Sequence, residues 1–260
     1  MPLLFIVDAF TDRPFAGNPA AVSLLKGWPE DTWMQSVAAE MNLSETAFAW
    51  NRDDGVCPLR WFTPTVEVDL CGHATLATAH ILYENGIAKP GTTIRFETRS
   101  GILTAEQRGD EIELDFPAKP ATAAEPPPGL LDALGVTPRF VGRNQFDYLV
   151  EVADEAEVRA AKPNFQQLAA VECRGVILTA VGSGHDFVSR FFAPAAGVNE
   201  DPVTGSAHCA LAVYWGEKLG KSNLIGYQAS ARGGVVRVTR AGDRVKLGGR
   251  AITVLRGELV

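Results

Sequence analysis

The segment Arg60-Trp61-Phe62-Thr63-Pro64 returns 130 residues later as Arg190-Phe191-Phe192-Ala193-Pro194, in a chain of 260 residues. A spacing of half the length is the mark of an internal duplication. Each copy follows a β-rich stretch at the same offset, Thr46-Ala47-Phe48-Ala49-Trp50 in the first and Val176-Ile177-Leu178-Thr179-Ala180 in the second. After the proline the second copy is three residues longer, which aligns Cys71-Gly72-His73-Ala74 with Thr204-Gly205-Ser206-Ala207. The chain therefore reads as two related lobes, 1–117 and 118–260, with the option that the last strand returns to the first lobe. Two domains of this size can each bury a full core.

The residues after the two glycines, Ala74 to Leu82 and Ala207 to Trp215, are small and nearly all apolar. A helix of that composition is buried on most sides, so each is expected to be the central helix of its lobe. Short strands separated by Gly, Pro and Asp surround them: Leu3 to Val7, Thr93 to Phe96, Leu103 to Gln107, Glu111 to Asp115, Tyr148 to Val152, Val235 to Thr239 and Arg244 to Leu247. Gly109-Asp110 and Gly242-Asp243 read as hairpin turns, and Arg232-Gly233-Gly234 as a turn between strands. More exposed helices are expected from Glu30 to Met41, after Pro29, and from Glu155 to Ala161. Mostly antiparallel strands wrapped round one buried helix, twice over, make an α+β fold with two pseudo-symmetric lobes. No G-x-G-x-x-G follows a strand, which removes the dinucleotide fingerprint. The proline-rich run Pro117 to Pro128 reads as the linker.

Charge narrows the function classes. The net charge is -7 and no Lys/Arg run occurs, so no nucleic-acid partner is expected. No stretch approaches the roughly 18 consecutive apolar residues of a membrane helix, and the first residues read as a strand and not as a targeting segment. Cys57, Cys71, Cys173 and Cys209 form no C-x-x-C pair, which favours a reducing cytoplasm over a disulfide framework. No metal site is expected either, since His73 and His80 lack a third ligand in sequence.

The glycine pairs carry the chemistry. Helix starts at Gly72-His73 and Gly205-Ser206 offer unpaired N–H groups and a positive dipole end, and across a pseudo-twofold axis they would form a pocket for a carboxylate. They read equally as capped buried helices. Glu45 breaks the duplication, because its counterpart is Gly175. Set against Leu43, Ala47 and Phe48, its carboxyl would be tuned toward neutral pH as a general acid/base, and the competing reading is an ordinary cap or loop residue. Cys71 precedes a helix start, where a thiolate is stabilised, and reads otherwise as a small buried hydrophobe. Its counterpart Thr204 is no thiol, which counts against a two-thiol racemase. Asp201 caps the second helix or acts as an acid beside His73.

The segments Asp8-Ala9-Phe10, Phe15-Ala16-Gly17-Asn18-Pro19, Asn42-Leu43-Ser44-Glu45-Thr46, Glu67-Val68-Asp69-Leu70-Cys71-Gly72-His73-Ala74-Thr75 and Glu200-Asp201-Pro202-Val203-Thr204-Gly205-Ser206-Ala207 occur together and in order. On these segments the chain resembles the PhzF family, named for phenazine biosynthesis, over nearly its whole length. The resemblance implies the diaminopimelate epimerase-like fold, two lobes flanking a cleft, a homodimer and an isomerase without cofactor. It implies Glu45 as catalytic acid/base with His73 and Asp201, and places Gly72 and Ser206 at the site; Thr204, Gly205, Asn18 and Cys71 complete the expected substrate-binding set. The expected reaction moves a proton between carbons of a small carboxylic acid. Cys71 departs from the phenazine enzyme, which keeps open an amino- or hydroxy-acid epimerase that uses this thiol. A third reading is a non-catalytic metabolite-binding or partner-binding module, against which the intact Glu45, His73, Asp201 and Ser206 argue.

Overall fold

The helix that follows each glycine is the buried axis of its half. In the computed structural model, which describes residues 1–52 and 54–260, the chain divides into two units. One comprises Met1–Phe116 with Gly248–Val260, the other Pro117–Leu247.

The first unit contains β1 (Leu3–Ala9), β2 (Asn18–Leu24), α1 (Asp31–Met41), β3 (Glu45–Ala49), β4 (Val56–Phe62), β5 (Glu67–Val68), α2 (Gly72–Glu84), β6 (Thr93–Thr98), β7 (Gly101–Arg108) and β8 (Glu111–Pro117). The second contains β9 (Thr122–Ala123), α3 (Leu130–Leu134), β10 (Phe140–Arg143), β11 (Asp147–Glu151), α4 (Glu155–Ala160), α5 (Phe165–Leu168), β12 (Gly175–Val181), β13 (Phe187–Ala193), β14 (Val198–Asp201), α6 (Gly205–Leu219), β15 (Asn223–Gln228), β16 (Gly234–Ala241) and β17 (Arg244–Gly249). The final strand, β18 (Ala251–Glu258), belongs to the first unit. It pairs antiparallel with β1 from Leu3↔Glu258 to Ala9↔Ala251, while β2 pairs with β1 on its other side. Both edges of the apolar β1 ladder are thereby satisfied.

In the first unit α2 packs on β1, β2 and β3, with Ala74, Leu76, Ala77, Ala79 and Ile81 fully buried. A helix of this length is marginal alone in water, so its stability comes from that burial. The amphipathic α1 covers the other face, where Met34, Val37 and Ala38 meet Phe48 and Phe62. In the second unit α6 packs on β15 and β16. A separate core joins α3, α4 and α5 to the sheet through Leu130, Val158, Leu168, Leu178 and Phe192.

Most strand pairs are antiparallel, but β2–β3, β11–β12, β4–β6 and β13–β15 are parallel. The β2–β3 connection carries α1 and the β11–β12 connection carries α4 and α5, the crossovers that parallel neighbours require. One expectation is corrected. Pro117 to Pro128 is not a free linker but part of the second unit: Ala118 N–H donates to Asp243 O, Lys119 N–H to Cys209 O, and β9 pairs with β10. Prolines lack the donor N–H, yet the alternating non-prolines supply enough donors to dock the segment.

The duplication is visible in side-chain geometry. Arg60 forms a forked pair with Glu67, and Arg190 forms the same fork with Glu200, every contact between 2.7 and 2.8 Å. Each guanidinium also lies over the aromatic ring two residues on, Phe62 at 5.2 Å and Phe192 at 4.8 Å.

Candidate active site

Glu45 is positioned by the end of α1. Asn42 closes that helix in the left-handed region, φ 49°, which Asn tolerates better than most residues, and the chain turns into β3 at Glu45. Residues 45, 47 and 49 face one side of the strand and 46 and 48 the other. Phe48 therefore packs with α1, and the apolar wall expected from it beside Glu45 is absent. Glu45 keeps a fifth of its side chain exposed.

The register of parallel β2 sets Ala20 opposite Glu45, with Asn18 buried at the start of that strand. The loop leading into Asn18 is held by Asp8, whose carboxylate accepts the Phe15 N–H at 2.7 Å. Gly17 (φ 63°) is required there, since a Cβ would lie 2.1 Å from the Ala9 carbonyl oxygen.

Cys71 is the extended N-cap residue of α2, and its side chain makes no capping hydrogen bond. The first N–H groups of α2, from Gly72 onward, thus receive no cap from the Cys71 side chain and stand at the positive end of the helix. His73, one residue into the helix, is buried. Its Nδ1 lies 3.5 Å from Cys71 Sγ and its Nε2 3.3 Å from Glu45 Oε2. The second contact is within ion-pair range but off hydrogen-bond alignment, as catalytic contacts often are without substrate. Burial alone pushes the His73 pKa down to about 3, so the ring is neutral and the Glu45 contact joins a carboxyl group to a neutral imidazole.

Glu45, Cys71 and His73 place an oxygen, a sulfur and a nitrogen within 4.8 Å of one another, a donor set that could hold a cation. The expectation that the histidines lack a partner ligand is corrected to this extent: folding brings His73 to Cys71 and Glu45, not to His80. The close contacts nonetheless use opposite ring nitrogens, and one ion can take only one of them. Only the Cys71 contact has hydrogen-bond geometry.

In the second unit Thr204 is the N-cap of α6. Its N–H donates to Gln228 Oε1 at 2.9 Å, its hydroxyl donates to Asp201 Oδ2 at 2.5 Å, and Gln228 Nε2 returns to the Asp201 carbonyl at 2.7 Å. His208 Nδ1–H donates to Thr204 O at 2.8 Å, matching Thr75 Oγ1 on Cys71 O in the other half. Ser206 Oγ accepts from Arg174 Nη2 at 3.1 Å. Arg174 is forked onto the fully buried Asp147 and flanked by the rings of Phe146 and Phe191. The sequence reading missed Arg174, Asp147 and Gln228. A signal existed for the first, because Arg174 directly precedes the symmetry-breaking Gly175.

Gly175 itself is explained by packing. A Cβ there would lie 2.3 Å from the Phe191 ring, so the second unit has no room for a counterpart of Glu45. An open groove of about 540 Å³ borders Arg143, Phe146, Cys173 and Arg174.

Residues 7–257 match the family model for phenazine biosynthesis-like proteins, PhzC-PhzF. The chain belongs to the PhzF family. Among its relatives is an uncharacterized isomerase of Halalkalibacterium halodurans, 54% identical over 260 residues that cover 99% of this chain and 98% of the relative. A crystal structure of a PhzF-family protein from Enterococcus faecalis superimposes with a TM-score of 0.95 at 41% identity, covering 100% of this chain and 99% of that one. A probable proline racemase from Agrobacterium radiobacter, at 13% identity and a TM-score of 0.68, covers 100% of this chain and 93% of its own and shares the fold. The PhzF chain thus has the α+β, diaminopimelate epimerase-like architecture. No helix among its described residues is long and apolar enough to cross a membrane.

Proposed function

We propose that this PhzF-family protein is a cofactor-independent isomerase, a cytoplasmic homodimer, that moves a proton between carbons of a small carboxylic acid with Glu45 as the acid/base. The supporting observation is the half-buried Glu45 carboxyl group held against a neutral, buried imidazole beside the start of α2, which the Cys71 side chain does not cap. The bacterial relative's name, isomerase, points the same way.

In the proposed reaction the substrate carboxylate is held by backbone N–H groups at a helix start, where the dipole favours negative charge. Glu45 takes a proton from an acidic C–H bond. The electron pair left behind spreads into the conjugated system of the substrate, and Glu45 returns the proton to a different carbon. His73 fixes the carboxyl group and stabilises developing charge without becoming a cation. Asp201, Thr204, Gly205 and Ser206 form a second polar set, with Arg174 holding the Ser206 hydroxyl in place.

The epimerase reading rests on Cys71 Sγ in the same cluster as Glu45. It is the weaker reading, because the matching residue of the duplication is the hydroxyl of Thr204, engaged with Asp201.

The test is proton exchange in deuterated buffer over a panel of small cyclic and amino carboxylic acids, wild type against Glu45→Gln. Exchange that is lost in the variant supports the assignment. Full exchange in Glu45→Gln rules it out, and exchange with inversion that depends on Cys71 selects the epimerase. Tight ligand binding with no exchange at any pH selects the binding module.

A further inference from the structure

We infer that Phe15 is a substrate-contacting residue, its exposed ring on the loop between β1 and β2 covering the apolar face of the acid on which Glu45 works. The inference rests on Glu45 as the acid/base.

Phe15 lies in the left-handed region, φ 64°, where a bulky side chain is a true outlier. Its N–H is held there by the carboxylate of the buried Asp8 at 2.7 Å. Phe10, in the same loop, has a φ of 62°, but it is fully buried, and its ring packs so closely on Gly249 that a Cβ there would lie 2.4 Å away. Packing offsets the strain at Phe10. Phe15 gains no such return, since it is 78% exposed. Backbone strain that local packing leaves uncompensated is typical of positions that hold a ligand.

Topology sets this loop at the end of the sheet that bears Glu45. The pair Ala9↔Asn18 closes the loop, and β2 runs parallel to β3 with Ala20 opposite Glu45, so the loop and the first residue of β3 share one end. The helix α2, packed on the same three strands, begins there too, because His73 meets Glu45. Two further exposed apolar residues belong to this end. Thr46 pairs with Phe62, so β4 finishes beside the start of β3, and the turn closed by Thr63 N–H on Val66 O follows it. Leu70 immediately precedes the N-cap Cys71. Val66 is 55% and Leu70 38% exposed. Single exposed apolar residues need no explanation, but three at the end that carries the acid/base form an apolar rim.

The occupant of that rim is the substrate. A second copy of the chain seated on this end would cover Glu45 and His73, whereas a small acid can meet the Phe15 ring with one face and still offer its C–H bond to the carboxyl group. Burial of a phenyl group against a ligand is worth about tenfold or more in affinity. The contact is made in the ground state and the transition state alike, so its loss raises KM and leaves kcat nearly unchanged. Glycine adopts φ 64° without strain, so Phe15→Gly removes the ring and relaxes the loop together.

The experiment follows the ring itself, by ¹⁹F NMR of the full chain labelled with 4-fluorophenylalanine, the Phe15 resonance being assigned by its loss in Phe15→Tyr. Titration with small cyclic and amino carboxylic acids, benzoate and cyclohexanecarboxylate among them, should shift that resonance saturably, in Glu45→Gln as in wild type. On a substrate whose exchange depends on Glu45, Phe15→Gly should raise KM about tenfold at constant kcat, with a melting temperature no lower than that of wild type. Phe15→Tyr should keep the wild-type KM. A Phe15 resonance that no acid of the panel moves, or a Phe15→Gly protein with unaltered KM, overturns the inference. So does a Phe15→Gly protein that turns from dimer to monomer in sedimentation, which would give the ring to a subunit interface. Retained exchange in Glu45→Gln removes the acid/base reading instead, and the ¹⁹F shift still judges Phe15.

Discussion

Glu45 Oε2 lies 3.3 Å from Nε2 of His73, a carboxyl group from the first residue of a strand meeting a ring from the first turn of a helix. Neither element could set this distance alone. Shortening the acid by one methylene withdraws the carboxyl group from the ring, and a displacement near 1 Å costs about 100-fold in rate for an oriented proton transfer. Glu45→Asp is therefore expected to retain residual exchange, at about one hundredth of the wild-type rate, and Glu45→Gln none. Initial rates of deuterium incorporation check both, and equal rates for Asp and Gln would contradict the role of geometry.

Stability should fall in mild acid before any carboxylate contributes. Burial pushes the pKa of His73 to about 3 and of His208 to about 4, from 6.5. His80 moves in the same direction, mainly through burial. Below pH 6.5 the unfolded chain binds protons at these rings and the folded chain does not, so stability drops as pH falls toward 4. The limiting slope is about 1.4 kcal/mol per pH unit for each ring. Carboxylates with lowered values, such as Glu155 through its Ser183 hydrogen bonds, add their loss only below about pH 4.5. Urea unfolding between pH 6.5 and 5 should show the slope, and His208→Gln should flatten it; an identical slope in that variant would refute the assignment.

Gly175 is expected to reject any side chain. Gly175→Ala places Cβ against the Phe191 ring and should cost about 1–3 kcal/mol by overpacking. Adding Phe191→Leu should recover part of the loss, read as a shift in the denaturation midpoint. Additive losses would show that the ring is not the obstacle.

Arg174→Met leaves the buried Asp147 carboxylate without its forked partner. Only the Asp147 side of the pair is buried, so the expected cost is about 1–3 kcal/mol, that of a buried acceptor left unpaired, and Asp147→Asn in the same background should return much of it. The double variant then isolates the lost Arg174–Ser206 bond, which should appear as a raised KM at unchanged kcat. An unchanged KM would remove Arg174 from ligand binding.

The sequence by itself determined the duplication, the two buried helices and the break in symmetry at Glu45. Repeated motifs and runs of small apolar residues are local in the chain, so Arg60 and Arg190, or Ala74 to Leu82 and Ala207 to Trp215, can be matched without coordinates. The hairpins at Gly109-Asp110 and Gly242-Asp243 were legible for the same reason, each turn joining neighbours in the chain.

Only the tertiary structure decided which side chains meet. The return of β18 to β1 spans nearly the whole chain, and no local preference encodes it. Asp147 and Arg174 are 27 residues apart, and Gln228 and Thr204 are 24 apart. Glu45, Cys71 and His73 come from a strand start and a helix start whose approach follows from parallel register and the packing of α2 on β3. Burial, too, is a property of the folded chain: it makes His73 a neutral ring with two distinct faces, one for a thiol and one for a carboxyl group.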